Sequence, residues 1–309
     1  MSDNQKYLIF GGSSHLGNYL IKNLNQRNID VYATSNSNTQ HLSDLRAAWC
    51  QCNVDSSGDL RRVRQFVGDI SNTTVLYLPA FFNTHKSFSD YGNGWRVNVT
   101  AFSEILEIFQ EAKRIYSFST DMVFSDSKAE PYKENDDTKP LNKYGEQKLI
   151  QEKMALAWRR NIIRLPVMIG PSLNSMKPHF YDFVCEEFRK GHGVKFFADA
   201  YRSSITFDTA AKLILELNNL DEIPEILNIA ADQSISKYEI GKLIAHTVGV
   251  DPKLAIPVSV DTDKQIWSEE RPKKVLLSNK KLKDILKIKN IIFSFNKNET
   301  ISYYNNSDT

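Results

Sequence analysis

The sequence predicts an α/β fold in which a doubly wound parallel sheet carries a smaller C-terminal lobe. Two observations predict it. Over residues 1–165, short apolar runs alternate with segments whose apolar residues recur at helical spacing. A glycine-rich turn directly follows the first of these runs. Strands that alternate with helices form a parallel sheet with helices on both faces, and ligands then bind beyond the carboxyl ends of the strands.

The apolar runs and helical segments follow one another in a regular order. The predicted strands are Tyr7–Phe10, Val31–Ala33, Val75–Leu78, Ile115–Phe118 and Ile162–Leu165. The predicted helices between them include residues 59–67, with Leu60, Val63 and Phe66, and residues 94–112, with Trp95, Val99, Phe102, Leu106 and Phe109.

The glycine-rich turn reads Gly11-Gly12-Ser13-Ser14-His15-Leu16-Gly17. A strand, a glycine turn and a helix in this order are what a dinucleotide-binding loop requires. Gly11 would permit the tight turn, Gly17 would let the helix pack closely, and backbone N–H groups would meet the pyrophosphate. Ser14 replaces the middle glycine of the pattern, and a strand–helix turn without a ligand is the alternative.

Tyr144 and Lys148 stand four residues apart in the segment YGEQK and therefore share one face of a helix. An ammonium beside a phenol lowers the phenol pKa from its free value of about 10. A tyrosine with such a pKa can exchange a proton with a substrate oxygen. Ser119 and Thr120 would bring hydroxyls close to that oxygen. The alternative is an ordinary helix with an exposed Tyr and Lys.

Taken in order, these segments resemble the extended short-chain dehydrogenase/reductases, and most closely the dTDP-4-dehydrorhamnose reductase family of the NAD-dependent epimerase/dehydratase superfamily. The resemblance rests on five segments: GGSSHLG, VNVT, FSTDMVF, PYKENDDTKPLNKYGEQK and RPKKVLLSNKKLK. It implies a Rossmann-type dinucleotide-binding domain and the NAD(P)H-dependent reduction of a nucleotide-linked 4-keto-6-deoxy sugar. A 4-epimerase with tightly bound NAD and a non-catalytic dinucleotide-binding regulatory subunit are the alternatives.

The resemblance also implies roles for individual residues. Thr120, Tyr144 and Lys148 are the expected catalytic residues, and Ser119, Asp121 and Met122 are expected at the substrate. The expected cofactor contacts are Gly11, Ser13, Ser14, His15, Leu16, Gly17, Ser35, Asn36, Leu78, Pro79, Ala80, Asn98, Tyr144, Lys148, Pro166 and Val167. Asn98 is expected to bridge towards Lys148, or else to satisfy a helix kink.

Besides Ser14, two further residues depart from the family pattern. Met122 occupies the position at which related dehydratases have a proton-exchanging Glu and the reductases usually have Tyr. A thioether cannot exchange a proton, so dehydration is disfavoured. Pro79 stands where the family commonly has alanine, and it lacks an N–H that could face the cofactor.

The end of the second predicted strand bears on the choice of cofactor. It reads Ala33-Thr34-Ser35-Asn36, without the acid that would hold the ribose 2′-hydroxyl of NAD. No Arg or Lys stands beside it in sequence to hold a 2′-phosphate. The sequence favours NADP(H), with NAD(H) as the alternative.

Residues 1–168 are expected to form the dinucleotide-binding domain, and residues 169–302 mainly a substrate-binding lobe that returns a strand to the main sheet. Residues 303–309 are expected to be a flexible tail. Arg202 and Arg271 are the candidates for the substrate pyrophosphate, because a guanidinium matches phosphate oxygens. Solvated surface arginines are the alternative.

Composition agrees with these expectations. The net charge of +2 argues against a nucleic-acid or membrane partner. The first residues lack the apolar region of a signal peptide, and the odd count of 3 cysteines fits a reducing cytoplasm. No histidine or cysteine spacing predicts a metal site. A homodimer is compatible with the sequence but not specified by it.

Overall fold

The computed structural model describes residues 5–36, 44–82, 89–262, 272–296 and 300–304. The strands, in chain order, are β1 (Lys6–Phe10), β2 (Val31–Ser35), β3 (Ala48–Gln51), β4 (Thr73–Tyr77), β5 (Arg114–Thr120), β6 (Asn161–Leu165), β7 (Met168–Ile169), β8 (Val194–Phe197), β9 (Tyr201–Arg202), β10 (Ile205–Thr206), β11 (Ile226–Asn228), β12 (Ile235–Ser236), β13 (Ala255–Val258), β14 (Lys274–Val275), β15 (Ile288–Ile291) and β16 (Ile301–Tyr303).

The α-helices are α1 (His15–Gln26), α2 (Ser57–Val67), α3 (Ser89–Trp95), α4 (Ala101–Ile108), α5 (Lys143–Ala157), α6 (Phe180–Arg189), α7 (Phe207–Leu217), α8 (Lys237–Val248) and α9 (Lys280–Leu286). A π-helical turn (Arg96–Thr100) joins α3 to α4, and a 3-10 turn (Asp121–Val123) follows β5.

A seven-stranded sheet in the order β11-β6-β5-β4-β1-β2-β3 forms the centre of the molecule. Every neighbouring pair in it is parallel. The chain reverses its direction of travel across the sheet between β1 and β4, which is where such a sheet opens a crevice beyond its carboxyl ends. The expected doubly wound α/β architecture is confirmed.

Alternation along β1 shows that both faces of the sheet are covered. Tyr7 and Ile9 belong to one apolar cluster with α1 and α7, whereas Leu8 and Phe10 belong to a second cluster with α2 and α4. All four side chains are almost fully buried. Opposite faces of one strand are therefore packed against different helix layers, as a parallel sheet requires.

The later half of the chain is joined to this sheet and is not a separate body. Strand β11 pairs in parallel with β6 at the sheet edge. Helix α7 packs on α1, and one hydrophobic cluster runs through both parts. Smaller sheets (β7 with β10, β9 with β12 and β14, β8 with β13, β15 with β16) complete this half. The division at residues 168 and 169 stays a prediction.

Two helical segments differ from their predicted form. The segment expected at residues 94–112 is interrupted by the π-helical turn, which the sequence periodicity did not predict. In α2, Leu60 and Val63 are buried as expected, but Phe66 is 44% exposed and Val67 is buried instead. A strict three-residue spacing drifts off the face of a helix that has 3.6 residues per turn.

Among the described residues, none of the helices is both long and apolar enough to cross a membrane.

Candidate active site

Two glycines shape the turn between β1 and α1. Gly11 has a φ of +76°, a left-handed conformation that favours glycine. A Cβ on Gly17 would lie 2.6 Å from the carbonyl oxygens of both Gly11 and Gly12, so a side chain there would push α1 away from the turn. The geometry therefore agrees with the conformational roles expected of both glycines, and the ligand contacts stay predictions.

Ser14 begins helix α1. Its Oγ accepts a hydrogen bond from the Gly17 N–H at 3.1 Å, and its φ of −76° places the Cβ without strain. Behind it, the buried Asn18 side chain donates to the Gly12 carbonyl at 2.8 Å. Ser14 is thus a helix cap, a role that explains why serine is tolerated at this position. His15 and Leu16 follow in the first turn, where backbone N–H groups have no acceptor within the helix.

A pair of hydroxyls joins the glycine turn to the end of β2. Ser35 Oγ donates to Ser13 Oγ at 3.1 Å, and both residues are buried. Asn36 is exposed, and its carbonyl oxygen accepts from Gln51 Nε2. Lys177, from the segment between β7 and α6, brings its Nζ to 3.4 Å from Ser13 Oγ. No Arg or Lys adjoins the end of β2 along the sequence, but a lysine from a distant segment reaches the hydroxyl that is bonded to Ser35.

The segments after β4 and β6 lie at the same edge of the sheet. Leu78 N donates to the Phe10 carbonyl at 3.2 Å, and Leu78 and Pro79 stand 3.5 Å from the position of a Cβ on Gly11. Ala80 is exposed, Pro166 is buried, and the Val167 carbonyl accepts from Ile205 N at 3.2 Å. Leu78 and Pro79 therefore border the glycine turn, and the cofactor contacts of all five residues stay predictions.

Tyr144 and Lys148 lie one turn apart on α5, whose N-cap is Asn142. The Tyr144 ring meets the Phe82 ring edge to face at 4.8 Å between centroids. Lys148 is buried, and its Nζ donates to Gln151 Oε1 at 2.7 Å. The helix therefore presents both side chains at the carboxyl edge of the sheet, as expected from their spacing.

The direction in which the Tyr144 pKa moves is opposite to the one expected from sequence. Burial, and then the Asp121 carboxylate, raise the pKa of Tyr144 well above that of a free phenol. Burial also lowers the pKa of Lys148 to about 7, with Glu152 opposing that change. The ammonium faces Gln151 and Glu152 and is only partly charged near neutral pH, so it does not acidify the phenol.

Thr120 and Asp121 form a compact hydrogen-bonded turn after β5. The Thr120 Oγ1 donates to Asp121 Oδ1 at 3.1 Å and accepts from Met122 N at 3.2 Å. Asp121 is 3% exposed, and burial raises the pKa of its carboxyl while Arg202 opposes this. The residues expected at the substrate therefore stand together at the end of β5.

The Arg202 guanidinium is held by several protein acceptors. Its Nε lies 3.2 Å from Asp121 Oδ2, and its two terminal nitrogens donate to the carbonyls of Tyr201, Pro272 and Lys273. All three nitrogens thus face protein acceptors. Arg202 thus pairs with Asp121, and its predicted pyrophosphate contact stays a prediction. Arg271 lies outside the described residues.

Ser119 is hydrogen-bonded to a buried ion pair that was not predicted from the sequence. Its Oγ donates to Glu152 Oε1 at 2.5 Å. Glu152 in turn receives two hydrogen bonds from Arg164, at 2.9 and 2.8 Å, and both side chains are 3% exposed. Arg164 also stacks over the Phe124 ring at 4.9 Å. The sequence contains a signal for this pair, because an arginine inside the apolar strand β6 requires a buried acceptor.

Asn98 is fully buried within the π-helical turn. Its side chain accepts from Phe81 N at 2.9 Å and donates to the Phe81 carbonyl at 3.0 Å and to Gln147 Oε1 at 2.7 Å. It therefore ties the segment after β4 to α5, next to Lys148. Of the two expected roles, the helix irregularity is present, and the bridge reaches the neighbour of Lys148.

A cavity of about 270 Å³ opens beside these residues. Phe82, Asp121, Met122 and Val167 line the side nearest the sheet, and the later part of the chain contributes Phe197, Arg202, Ser204, Ile235, Lys237 and Lys273. Phe82 and the two lysines were not predicted from sequence. Their apolar and cationic character suits a ligand with both a hydrophobic face and negative charge.

A comparison with models of known protein families identifies the family of this chain. The model of the RmlD substrate binding domain family matches residues 5–304. The chain belongs to this family. The resemblance to dTDP-4-dehydrorhamnose reductases expected from the sequence motifs is therefore confirmed.

Solved structures of this family share the fold. A hypothetical dTDP-4-dehydrorhamnose reductase from Sulfolobus tokodaii has a TM-score of 0.74 at 24% identity, over 91% of this chain and 94% of that chain. The dTDP-4-dehydrorhamnose reductase from Bacillus anthracis, solved in complex with NADP, has a TM-score of 0.75 at 18% identity, over 92% of this chain and 93% of that chain.

Two curated relatives match over very different lengths. The UDP-glucose 4-epimerase of Lacticaseibacillus casei is 27% identical over 150 residues, which are 47% of this chain and 44% of that protein. The chain thus spans less than half the length of this relative. The spore coat polysaccharide biosynthesis protein SpsK of Bacillus subtilis is 21% identical over 282 residues, which are 90% of this chain and 91% of that protein.

Proposed function

We propose that the protein is an NAD(P)H-dependent reductase of a nucleotide-linked 4-keto-6-deoxy sugar, with NADP(H) as the preferred cofactor. One observation carries the proposal: α5, with Tyr144 and Lys148, packs on β5 and on the turn that follows Thr120, and Tyr144 meets Phe82 beside a cavity that Asp121 also lines. This is where a doubly wound sheet binds its ligands.

The glycine turn suits a dinucleotide. Its close backbone packing leaves no room for a Cβ at Gly17, and it delivers the N-terminus of α1 to the crevice. Helix N-termini attract phosphate through their unpaired N–H groups and dipole. A dinucleotide whose pyrophosphate is bound there would supply the hydride from its reduced nicotinamide.

Tyr144 serves as the proton donor in this proposal. Its raised pKa keeps the phenol protonated at neutral pH, which is the form that can protonate the substrate oxygen as hydride adds to the carbon. Lys148, one turn away, would hold the nicotinamide ribose, the role that the family resemblance implies. The Thr120 hydroxyl, at the end of β5, would orient the carbonyl oxygen.

Met122 supports reduction over dehydration. It lines the cavity directly after Asp121, and its thioether cannot take a proton from a sugar carbon. The alignment with a UDP-glucose 4-epimerase keeps epimerisation as the alternative. An epimerase returns its hydride to the sugar, so it would consume no reduced cofactor overall.

The test is NADPH oxidation with dTDP-4-dehydro-6-deoxy sugars, with Tyr144→Phe as the decisive variant. We expect its turnover to fall by at least about 100-fold while NADPH binding is retained, because general acid catalysis contributes about that factor. Tyr32→Phe removes a phenol of β2 and is the matched control. Unchanged turnover in Tyr144→Phe, or sugar epimerised without net NADPH oxidation, would refute the reductase mechanism.

A further inference from the structure

We infer that Lys177, together with Ser13 and Ser35, forms the binding site for the 2′-phosphate of NADPH, so that the later part of the chain supplies the residue that selects the cofactor. This inference rests on the proposed function, which it deepens. It assigns a binding role to a lysine that lies far along the chain from the dinucleotide-binding segments.

The location follows from the fold. In doubly wound sheets the adenosine ribose lies beyond the end of the second strand, beside the glycine turn, where an acid holds the 2′-hydroxyl of NAD or a cation accommodates a 2′-phosphate. Here β2 ends at Ser35, and residues 33–43 include no Asp or Glu. The carboxylate that would repel a phosphate is therefore missing from this sequence segment.

Two hydroxyls face each other at that point. Ser35 Oγ donates to Ser13 Oγ at 3.1 Å, and the two residues are 3% and 9% exposed. Hydroxyl groups on a strand end and on a glycine turn can rotate to donate to phosphate oxygens. Two serines alone would serve a ribose hydroxyl equally well, so the discrimination needs a charge.

Lys177 provides the charge. Its Nζ lies 3.4 Å from Ser13 Oγ, on the side of the glycine turn. The same cation contributes to the lowered pKa of His15, after burial and against Asp182, so its field reaches the first turn of α1. Among the described residues, no carboxylate pairs with Lys177. An ammonium directed at the Ser13 hydroxyl, which itself is bonded to Ser35, and without a carboxylate partner is a fitting phosphate ligand.

The segment that carries Lys177 is anchored at its start and along its course. The Tyr19 hydroxyl donates to the Pro171 carbonyl at 2.9 Å. Ser172 Oγ donates to the carbonyls of Asn174, at 2.7 Å, and Lys177, at 2.8 Å. The course of the chain up to Lys177 is thus fixed by internal bonds.

The segment is also anchored at its far end. The His179 ring stacks edge to face on His15, at 4.9 Å between centroids, and on Phe207, at 5.0 Å. Both carboxylate oxygens of Asp182 accept hydrogen bonds from the backbone N–H of Ser172, and Oδ2 also accepts from that of His179. This carboxylate therefore ties the two ends of the segment together. Lys177 is therefore held against the glycine turn from both sides.

The experiment compares the dissociation constants of NADPH and NADH for wild type and for Lys177→Met, measured by fluorescence titration at one salt concentration. A charged hydrogen bond to phosphate corresponds to a change in affinity of about tenfold or more. We expect Lys177→Met to raise the dissociation constant of NADPH by that factor and to leave that of NADH unchanged. Lys177→Arg should recover most of the NADPH affinity, and the exposed Lys195→Met is the matched control.

Competition by small nucleotides locates the contact. 2′,5′-ADP carries the 2′-phosphate without the pyrophosphate, and 5′-AMP lacks the 2′-phosphate. Lys177→Met should weaken the binding of 2′,5′-ADP and leave the binding of 5′-AMP unchanged. Ser35→Glu, which places a carboxylate at the end of β2, should likewise weaken NADPH but not NADH. Equal weakening of NADPH and NADH would assign Lys177 to the pyrophosphate, and no effect on either would remove it from the site.

Different results would overturn the proposed function and the role of Lys177. If wild type binds neither NADPH nor NADH, both the proposed function and the role of Lys177 are refuted. If wild type binds NADPH and reduces the keto sugar, while Lys177→Met keeps the wild-type ratio of NADPH to NADH affinity, only the inference is overturned.

Discussion

Lys148 combines a buried position with partners that do not fully compensate its charge. It is 2% exposed, its Nζ donates to Gln151, and Glu152 lies one turn further along α5. Burial penalises the ammonium more than these contacts favour it, so its pKa falls to about 7. A residue placed in this way changes charge in the pH range in which the proposed reaction would run.

This lowered pKa has a consequence for stability. Below about pH 7 the lysine is protonated in both the folded and the unfolded chain, and the folded chain carries the full cost of the buried charge. Above it, the unfolded chain binds more protons, so the contribution of Lys148 to stability rises with pH towards its unfolded pKa of 10.5.

The stability difference between wild type and Lys148→Met should therefore shift in favour of wild type from pH 7 to pH 9, by up to about 1.4 kcal/mol per pH unit. Urea denaturation at several pH values measures it. Lys153→Met, which removes an exposed lysine of the same helix, should run parallel to wild type. A pH-independent difference for Lys148→Met would show that the lysine is not held in its neutral form.

The contribution of the buried Glu152–Arg164 pair to stability can be tested by removing one of its charges. Glu152→Gln would leave the Arg164 guanidinium buried without a counter-charge, which costs about 3 to 5 kcal/mol of unfolding free energy. The control is Glu146→Gln on the same helix, because Glu146 pairs with the exposed Lys143 and such pairs contribute less than about 1 kcal/mol. Equal, small losses in both variants would mean that the buried pair is dispensable.

At the scale of elements, the contact between α5 and the turn after β5 depends on Gly145. A Cβ there would overlap the Met122 carbonyl oxygen and lie 2.9 Å from Pro140 Cβ. Helix propensity alone favours alanine over glycine by about 1 kcal/mol. The close approach reverses that preference, because α5 must move away from the Asp121–Val123 turn and carry Tyr144 with it.

Gly145→Ala should therefore lower both the midpoint of urea unfolding and the rate of NADPH oxidation. The matched control is Gly92→Ala in α3, where a Cβ would meet nothing within 4 Å. That variant should keep wild-type activity and be at least as stable as wild type, because alanine is the better helix former. A Gly145→Ala protein as stable and active as wild type would show that the spacing between α5 and the turn is not needed.

The sequence predicted those elements whose determinants are local. Strand β1, the glycine turn and α1 follow from adjacent residues, and so does the Tyr144–Lys148 face of α5. Lys177 beside Ser13 and the capture of Arg202 by Asp121 depend on contacts between distant segments. The pKa direction of Tyr144 was missed for the same reason, because burial by the surrounding elements outweighs its helical neighbour.

At the scale of the whole molecule, Asn218 links the end of α7 to the central sheet. Its Nδ2 donates to the Tyr7 hydroxyl at 2.8 Å, and its Oδ1 accepts from Thr74 Oγ1 at 3.1 Å. These bonds join the later part of the chain to β1 and β4, in the region where one hydrophobic cluster already spans both parts. The molecule should therefore unfold as one cooperative unit.

Urea unfolding followed by tryptophan fluorescence and by far-ultraviolet circular dichroism should give coincident transitions in wild type. Asn218→Leu leaves the buried Tyr7 and Thr74 hydroxyls without partners, at a cost of about 1 to 3 kcal/mol for each buried group. The whole transition should consequently move to lower urea and remain single. Separate transitions in either protein would instead mean that residues 1–168 and 169–302 are independent folding units, since a shared core cannot lose one half while the other stays folded.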